Sequence, residues 1–410
     1  MGVGTGMGPT YDVRAVRAHF PALAAGAAHF DGPGGSQVPD TVAAAVADTL
    51  LSPLANRGSV TAAERASDAI VLAARAAMGD LLGADPRGVV FGRSMTALTF
   101  DLARTLAATW RAGDEVIVTR LDHDANIRPW VYAAEAVGAT VRWADFDPRT
   151  SELTVADVAR ELSSRTRVVA VTGASNLLGT RPPVPLIAAA AHERGALVVV
   201  DGVHLTAHAP VDVAALGADV YACSPYKFLG PHCGVLAAAP DLLESLTPQK
   251  LLPSPDSVPE RFELGTLPYE LLAGTTAAVD FLAGLDPAAT GTRRERLTAS
   301  MAVVERHEDR LRHRIEDGLT RLSGVVVHSR AQSRTPTMLL SFPGRDPQDA
   351  YRFLAERGVN APAGTFYALE ASRRLGFGDA GALRVGLAPY TDDGDVDRLL
   401  AALGDFLARP

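Results

Sequence analysis

Short apolar runs alternate with longer segments of helical spacing along most of the chain. The run at 197–200 contains no polar residue, which is typical of a strand buried on both faces. The pattern predicts strands at 89–91, 115–119, 140–144, 167–172, 197–200 and 220–223, and helices at 11–19, 41–51, 61–82, 97–110 and 182–195. Strands and helices that alternate in this way predict an α/β fold with a mostly parallel, doubly wound sheet.

The pattern changes near residue 290, where a long, charge-rich helix is predicted at 293–322. Strands at 325–328, 338–342 and 383–387 and helices at 346–357 and 393–407 follow it and predict a small α+β domain. We therefore divide the chain into a leader with the first loop (1–40), a large domain (41–290), and a bridging helix with a small C-terminal domain (291–410).

Composition excludes several classes of protein. The net charge is −8 and no basic cluster is present, which argues against a nucleic-acid partner. We expect no membrane span, because every stretch of about 20 apolar residues is interrupted by charge. The Gly-rich first ten residues do not resemble a signal peptide. Two cysteines make no disulfide framework and no Cys/His cluster has metal spacing, so we expect a cytoplasmic protein without a metal site.

Two strand ends carry the first candidate chemistry. Asp201 follows one apolar run, and Lys227 follows the next. In open α/β sheets, ligands bind at the edge formed by the carboxyl ends of the strands, where both residues would lie. Pyridoxal phosphate needs such a lysine for its Schiff base and such a carboxylate near its ring nitrogen. Ser224 and Tyr226 add hydroxyl groups that can bond a phosphate. Taken alone, the pair is equally compatible with a surface lysine and an ordinary strand-end aspartate.

A glycine turn at 92–96 opens the next predicted helix. Free backbone N–H groups and the positive end of the helix dipole meet there, which favours an anion. Any turn between a strand and a helix has this property, so the turn alone is a weak indication of a phosphate site.

The segment VVVDGVH…DVYACSPYKFLGPHCG resembles the cofactor segment of the class V aminotransferase superfamily, in its cysteine-desulfurase-like and isopenicillin-epimerase-like branch. The resemblance extends over nearly the whole chain. It implies the pyridoxal-phosphate-dependent transferase fold of type I, which combines a large domain containing a mostly parallel seven-stranded sheet with a small α+β C-terminal domain. It also implies an enzyme with pyridoxal phosphate as its cofactor.

The resemblance assigns roles to individual residues. His123 would stack on the pyridine ring, Asp201 would face the ring nitrogen, and Lys227 would form the Schiff base. The remaining cofactor residues would be Ser94 and Met95 at the phosphate (Met95 through its backbone), Asn176 and His204 near the 3-oxygen, and Ser224 and Tyr226 beside the lysine. Thr266, in RFELGT, would reach the phosphate of a neighbouring subunit, which implies a homodimer with shared active sites.

Substrate residues follow from the same resemblance. Arg384 would hold the carboxylate of an amino acid as a bidentate pair. Arg57 lies in the region of the substrate entrance and could bind a carboxylate, but a solvated surface arginine is the favoured interpretation of this residue. Tyr367 is the position closest to the nucleophilic cysteine that desulfurases carry in the corresponding loop, here 358–372. Cys223 and Cys233 do not match that cysteine, and both are expected to be structural.

These residues favour Schiff-base chemistry that needs no cysteine nucleophile. The predicted reaction is C–S β-lysis of cysteine or a cysteine S-conjugate to a thiol, pyruvate and ammonia, with Lys227 as general base. Tyr226 and Tyr367 are candidates for the acid that protonates sulfur. Epimerisation, transamination and decarboxylation with oxidative deamination remain open. A non-catalytic protein that binds the cofactor is the alternative from another class.

Overall fold

A computed structural model describes residues 11–409. The strands are β1 (Ala28–His29), β2 (Val89–Gly92), β3 (Glu115–Thr119), β4 (Thr140–Ala144), β5 (Thr166–Thr172), β6 (Leu197–Asp201), β7 (Val220–Cys223), β8 (Gly234–Ala238), β9 (Val326–Val327), β10 (Thr337–Ser341), β11 (Val359–Asn360), β12 (Ala363–Gly364) and β13 (Ala382–Gly386). The helices are α1 (Val13–Arg17), α2 (Asp40–Leu51), α3 (Ala62–Leu82), α4 (Met95–Ala107), α5 (Arg128–Val137), α6 (Val155–Ala159), α7 (Val184–His192), α8 (Val213–Leu216), α9 (Pro240–Ser245), α10 (Tyr269–Ala283), α11 (Arg293–Leu319), α12 (Pro347–Ala355), α13 (Leu369–Arg374) and α14 (Asp393–Leu407). The predicted leader, 1–10, lies outside the described residues.

Seven strands form the central sheet in the order β2-β8-β7-β6-β5-β3-β4. The five strands from β7 to β4 are parallel, whereas β8 is antiparallel to both β7 and β2. The predicted α/β fold with a mostly parallel seven-stranded sheet is confirmed. The apolar pattern did not predict β8, because Gly230, Pro231 and Gly234 indicate a break in the chain at that point.

Successive residues of the central strands pack into two apolar cores, one on each face of the sheet. In β5, Val169 and Val171 belong to one core, and Val168 and Ala170 belong to the other. Helices α3, α7 and α10 contribute to the first core, and α4 and α5 contribute to the second. Because both faces are buried, the strands are continuous apolar runs. Polar side chains can therefore collect only at the strand ends.

Some predicted helices have different ends in the structure. Helix α4 begins at Met95 rather than at residue 97, because the Ala97 backbone N–H donates to the Ser94 hydroxyl at 3.1 Å and caps the helix. Helix α7 is shorter than predicted at both ends, and α11 ends at Leu319 rather than at residue 322. The capped start of α4 positions its first turn against the central sheet.

A second sheet of four antiparallel strands, β12-β13-β10-β9, packs with α12, α14 and the second half of α11 around a separate core. The N-terminal strand β1 pairs with β11, and Phe30 is buried in this second core. Residues 28–30 therefore pack with the C-terminal part of the chain. The small unit contains both helices and strands, as predicted. The exact domain boundaries stay a prediction.

Within residues 11–409, no helix combines the length and the apolar character that crossing a membrane requires. The same part of the chain contains no group of three or more His, Cys, Asp or Glu side chains placed to hold a metal ion.

Candidate active site

Four neighbouring strand ends supply the polar side chains of one pocket. His123 follows β3, Asn176 follows β5, Asp201 ends β6, and Lys227 follows β7. All four line the same pocket, because β3, β5, β6 and β7 are adjacent and parallel. Five more of the predicted cofactor residues also line it: Ser94, Met95, His204, Ser224 and Tyr226. The structure thus brings together nine of the ten predicted cofactor residues.

The Lys227 side chain lines this pocket and is partly buried. Its Nζ donates to the carbonyl oxygens of Pro33 at 2.5 Å and Gly34 at 3.0 Å, and it lies 4.8 Å from the centre of the Tyr226 ring. Burial, and then the positive charge of Arg384, lowers the pKa of Lys227 to about 7, although Asp201 opposes the shift. A substantial fraction of the amine is therefore neutral and nucleophilic near pH 7.

Asp201 is a buried carboxyl group at the end of β6. Its Oδ1 accepts the Val203 backbone N–H at 2.9 Å. Burial raises the pKa of Asp201 to about 6, while the Val203 hydrogen bond and the charge of Lys227 act in the opposite direction. The group is still mostly ionised at pH 7, so it can place a negative charge against a protonated ring nitrogen.

A second buried carboxyl group, Asp122, lies beside His123 and was missed by sequence reasoning. It accepts the Asn126 side-chain N–H at 2.7 Å and the Thr119 hydroxyl, and Asn126 in turn accepts the Trp130 indole N–H at 3.2 Å. Burial is the main cause that raises the pKa of Asp122 to about 8, and the charge of Asp201 adds to it. Asp122 is therefore mostly neutral at pH 7 and leaves Asp201 as the ionised group.

The first turn of α4 forms the opposite wall of the pocket through Ser94, Met95 and Thr96. Backbone N–H groups at a helix start favour an anion such as a phosphate. Gly234 in β8 permits this arrangement, because a Cβ there would clash with the backbone of Ser94 and Met95. The Met95 side chain is buried, which agrees with a role for its backbone alone.

His123 presents a neutral ring to the pocket. Its Nδ1 accepts the Ala125 backbone N–H at 3.0 Å, so Nε2 carries the proton. Burial, followed by the charges of Lys227 and Arg384, lowers the pKa of His123 to about 4. The ring lies 5.5 Å from that of Tyr367, with 31° between the planes. A neutral aromatic ring with a fixed tautomer is suited to stacking on a heterocycle.

Asn176, Phe366 and Arg384 form one connected group at a second pocket, which opens from the first. The Asn176 side chain donates to the Phe366 carbonyl at 2.9 Å, and its own amide oxygen is buried without a hydrogen-bond partner among the described residues. Arg384 Nη1 donates to the Asn176 carbonyl at 3.0 Å, and its guanidinium lies 3.7 Å from the centre of the Phe366 ring. Lys227, His123 and Asn176 line both pockets.

Arg384 is almost fully buried, yet no carboxylate among residues 11–409 forms a hydrogen bond with it, and its Nε has no partner there. Burial lowers the pKa of Arg384 to about 9, so the guanidinium stays charged at pH 7. The charge of Asp31 opposes this shift. A buried charge without a hydrogen-bonded counter-ion is costly, and an incoming carboxylate would reduce that cost.

The loop that follows β12 is held against the site by its backbone. The Tyr367 carbonyl accepts the Asp124 backbone N–H at 2.7 Å, as the Phe366 carbonyl accepts the Asn176 side chain. Both loop residues have positive φ angles, 53° for Phe366 and 60° for Tyr367, which non-glycine residues rarely adopt. Such strain is found where surrounding contacts impose it, and it often marks a ligand site.

His204 belongs to a buried network behind the pocket. Its Nε2 lies 2.9 Å from the Thr335 hydroxyl and 3.0 Å from the Thr337 hydroxyl, and its ring contacts His208 at 4.7 Å. His208 pairs with Glu308 of α11 at 2.8 Å. Burial keeps the pKa of His204 well below its usual value, so the ring is neutral.

Two predicted residues do not reach the pockets in this chain. Arg57 pairs with Asp68 at 2.8 Å and with Glu260 at 3.0 Å, which leaves it occupied by protein carboxylates. Thr266 is exposed to solvent on the loop before α10. Neither residue lines the pockets that contain Lys227, so a role for either would require a second subunit.

The donor set fits pyridoxal phosphate. The partly buried amine of low pKa matches the aldehyde of that cofactor, and the ionised carboxyl group matches its ring nitrogen. The neutral imidazole ring matches the ring face, and the helix start matches the phosphate. The unpaired amide oxygen of Asn176 offers a further polar contact in the same pocket.

We expect the loading of this cofactor to depend on the protonation of Lys227. Since its pKa is lowered to about 7, the neutral amine should dominate above pH 7, and the loading rate should rise through pH 7 and level off. An unperturbed lysine would give a rate that still rises near pH 10. Stopped-flow absorbance on cofactor-free protein measures this profile. Arg384→Leu should move the midpoint upward, because the Arg384 charge helps to lower that pKa; an unmoved midpoint would contradict the assignment.

The chain is similar to known proteins over almost its full length. The family model "Aminotransferase class-V" matches residues 28–399. An uncharacterized protein of Mycobacterium tuberculosis is 35% identical over 97% of this chain and 99% of its own length. A probable cysteine desulfurase of Pseudomonas aeruginosa is 32% identical over 94% of this chain and 96% of its own.

The crystal structure of the cysteine desulfurase CsdA (S-sulfonic acid) from Escherichia coli superposes with a TM-score of 0.86 at 28% identity, and the match covers 97% of this chain and 98% of that one. The structural match therefore agrees with the sequence match over almost the full chain. This protein belongs to the class V aminotransferase family, and pyridoxal phosphate is its cofactor.

Proposed function

We propose that the protein is a C–S β-lyase that acts on cysteine or a cysteine S-conjugate. The overall reaction converts R–S–CH₂–CH(NH₃⁺)–CO₂⁻ and water into R–SH, pyruvate and ammonium. The C–S bond breaks with its electron pair on sulfur, and a proton completes the thiol. Water replaces the nitrogen of the enamine product after tautomerisation. No external oxidant or reductant is needed.

The pocket residues suit each part of this reaction. The buried guanidinium of Arg384 would hold the substrate carboxylate, and the Lys227 amine would remove the Cα proton. When bound, pyridoxal phosphate supplies an electron sink that stabilises negative charge at Cα. The ionised carboxyl group of Asp201 would keep the ring nitrogen protonated. Tyr226 and Tyr367 line the second pocket and are the candidates that would protonate the leaving sulfur.

The main observation in support of the proposal is that the two cysteines lie outside the pockets. Cys223 ends β7 and Cys233 precedes β8; both are buried, and neither lines the two pockets. Burial raises the pKa of both thiols, that of Cys233 to about 11, so a thiolate is disfavoured. The loop in which desulfurases are expected to carry their cysteine has Thr365, Phe366 and Tyr367 instead. Elimination needs no such thiolate, whereas persulfide formation does.

Product analysis tests the proposal. Holoenzyme incubated with cysteine and with S-methyl- and S-benzyl-cysteine should release the thiol and pyruvate in equal amounts, as measured by mass spectrometry. A variant with both Cys223→Ala and Cys233→Ala, checked for folding by circular dichroism, should retain this activity. Alanine together with a protein persulfide would instead support a desulfurase, as in the relatives of that name.

The other reactions of this family leave different products. A keto acid that retains sulfur indicates transamination, carbon dioxide indicates decarboxylation, and racemised substrate indicates epimerisation. An unchanged cofactor spectrum with every amino acid indicates a binding protein without catalysis. Each of these results would contradict C–S lysis.

The proposal also includes a homodimer located in the cytoplasm. Thr266 is exposed and would extend to the phosphate site of the partner subunit. Analytical ultracentrifugation should give twice the mass of the chain, and a monomer would remove the basis for a shared site.

A further inference from the structure

The second pocket has an aromatic outer wall, of which the proposed chemistry uses only the hydroxyl groups of Tyr226 and Tyr367. Phe100 of α4 and Tyr132 of α5 stack with ring centres 6.4 Å apart and 22° between the planes. Phe366 and Tyr367 contribute aromatic rings from the loop after β12, and Tyr226 contributes one from beside the lysine. Five of the 15 lining residues are Phe or Tyr, although aromatic residues make up only 6% of the chain.

This aromatic wall is continuous with the reactive part of the site. Lys227 and Arg384 line the same pocket as Phe100 and Tyr132. A substrate whose carboxylate is held at Arg384 and whose amine is at Lys227 has only its side chain left to extend outward. The exposed faces of the wall, 56% of Tyr132 and 75% of Tyr367, are then in reach of that side chain.

The charged residues at the mouth of the pocket neutralise one another. Arg128 pairs with Asp124 at 2.9 Å and with Glu370 at 2.7 Å, and the other oxygen of Glu370 pairs with Arg120 at 2.9 Å. The positive charges of these two guanidinium groups are thus balanced by the negative charges of two carboxyl groups. Among residues 11–409, each cation at the mouth is paired with a carboxylate. No cation is therefore left there to bind a second acid group on the substrate.

We infer that the substrate carries an uncharged aromatic group at the far end of its side chain, on sulfur if the reaction is C–S lysis as proposed above. The group packs between the stacked pair Phe100–Tyr132 and the ring of Tyr367. Aromatic contacts of this kind contribute beyond simple burial of area, because the rings attract through their quadrupoles. A side chain ending in a carboxylate would lose its hydration at the mouth without gaining an unpaired cation among residues 11–409, and would bind poorly.

Binding of unreactive carbon analogues tests this inference separately from the reaction. In these analogues a methylene group replaces sulfur, so no C–S bond can break. The probes are the analogue of S-benzyl-cysteine, L-norvaline for S-methyl-cysteine, and L-α-aminoadipate for S-carboxymethyl-cysteine. Calorimetric titration of the holoenzyme should give a Kd for the benzyl analogue about tenfold or more below that for norvaline, and the weakest binding for aminoadipate.

Variants test whether tighter binding of the benzyl analogue depends on the aromatic wall. Tyr132→Ala should raise the Kd of the benzyl analogue about three- to tenfold and leave that of norvaline unchanged. Tyr351→Ala, which removes a partly exposed tyrosine of α12 that lines neither pocket, should change neither value. Equal affinity for the benzyl analogue and norvaline, or tightest binding of aminoadipate, would overturn the inference.

Two further results show whether the proposed C–S lysis or the inference about the aromatic group has failed. If the benzyl analogue binds preferentially and S-benzyl-cysteine is not cleaved, the proposed reaction fails and this inference stands. If S-methyl-cysteine is cleaved and the benzyl analogue binds no more tightly than norvaline, the inference alone fails.

A second copy of the chain could also cover the wall. In that case Tyr132→Ala would lower the mass in sedimentation and leave every Kd unchanged, which would overturn the inference.

Discussion

Lys227→Ala should abolish turnover. The substitution removes both the amine that attaches the cofactor and the base that moves the substrate proton. We expect kcat to fall by about 10⁴-fold or more, the upper end of what general-base catalysis contributes, because the two roles are lost together. Steady-state kinetics with the amino acid that gives the largest wild-type rate measures the loss. Circular dichroism should show an unchanged fold, since the Pro33 and Gly34 carbonyls are the only hydrogen-bond partners of the amine in the described part of the chain.

The chain offers a matched control, because it contains only one other lysine, Lys250. That side chain pairs with Asp256 at 2.9 Å, away from both pockets. Borohydride should fix the cofactor on wild type and on Lys250→Ala, and peptide mass mapping should find it on Lys227. Fixation at Lys250, or full activity in Lys227→Ala, would refute the central assignment.

Arg384→Leu should weaken catalysis strongly through the substrate carboxylate. Truncating one partner of a buried, hydrogen-bonded charge pair costs about 2–5 kcal/mol, which corresponds to about 30-fold to several-thousand-fold in kcat/KM. The loss should appear mainly in KM, because the guanidinium is expected to hold the carboxylate in the ground state as well as in the transition state. Arg384→Lys should recover only part of the activity, since an ammonium group lacks the bidentate fork.

A substrate without a carboxylate provides the control for misfolding. An S-alkyl cysteamine presents the same amine and thioether and has no group for Arg384 to bind. If Arg384 acts on the carboxylate, Arg384→Leu and wild type should bind this amine with similar Kd values. An equal loss of affinity for the amine and for the amino acid would instead assign Arg384 to the structure of the pocket, where it contacts Asn176 and Phe366.

The sequence determined the architecture because burial on both faces of a parallel sheet requires continuous apolar runs, and those runs are visible along the chain. It also placed Asp201 and Lys227 at the same edge, since the carboxyl ends of adjacent parallel strands coincide. Strand β8 was missed, because the glycines and the proline before it indicate a turn. Gly234 is needed there for the close approach of the α4 backbone rather than for a break in the chain.

The tertiary structure alone decided the environment of these groups. Asp122 and the pair Phe100–Tyr132 look like ordinary loop and helix positions in the sequence, and only packing brings them to the site. The same holds for the pKa of Lys227 near 7 and for the absence, among residues 11–409, of a carboxylate hydrogen-bonded to Arg384, because both depend on burial and on neighbours distant in the chain. Periodicity records which residues face a core, whereas the charge and the contacts at a site are set by what the fold places within a few ångströms of it.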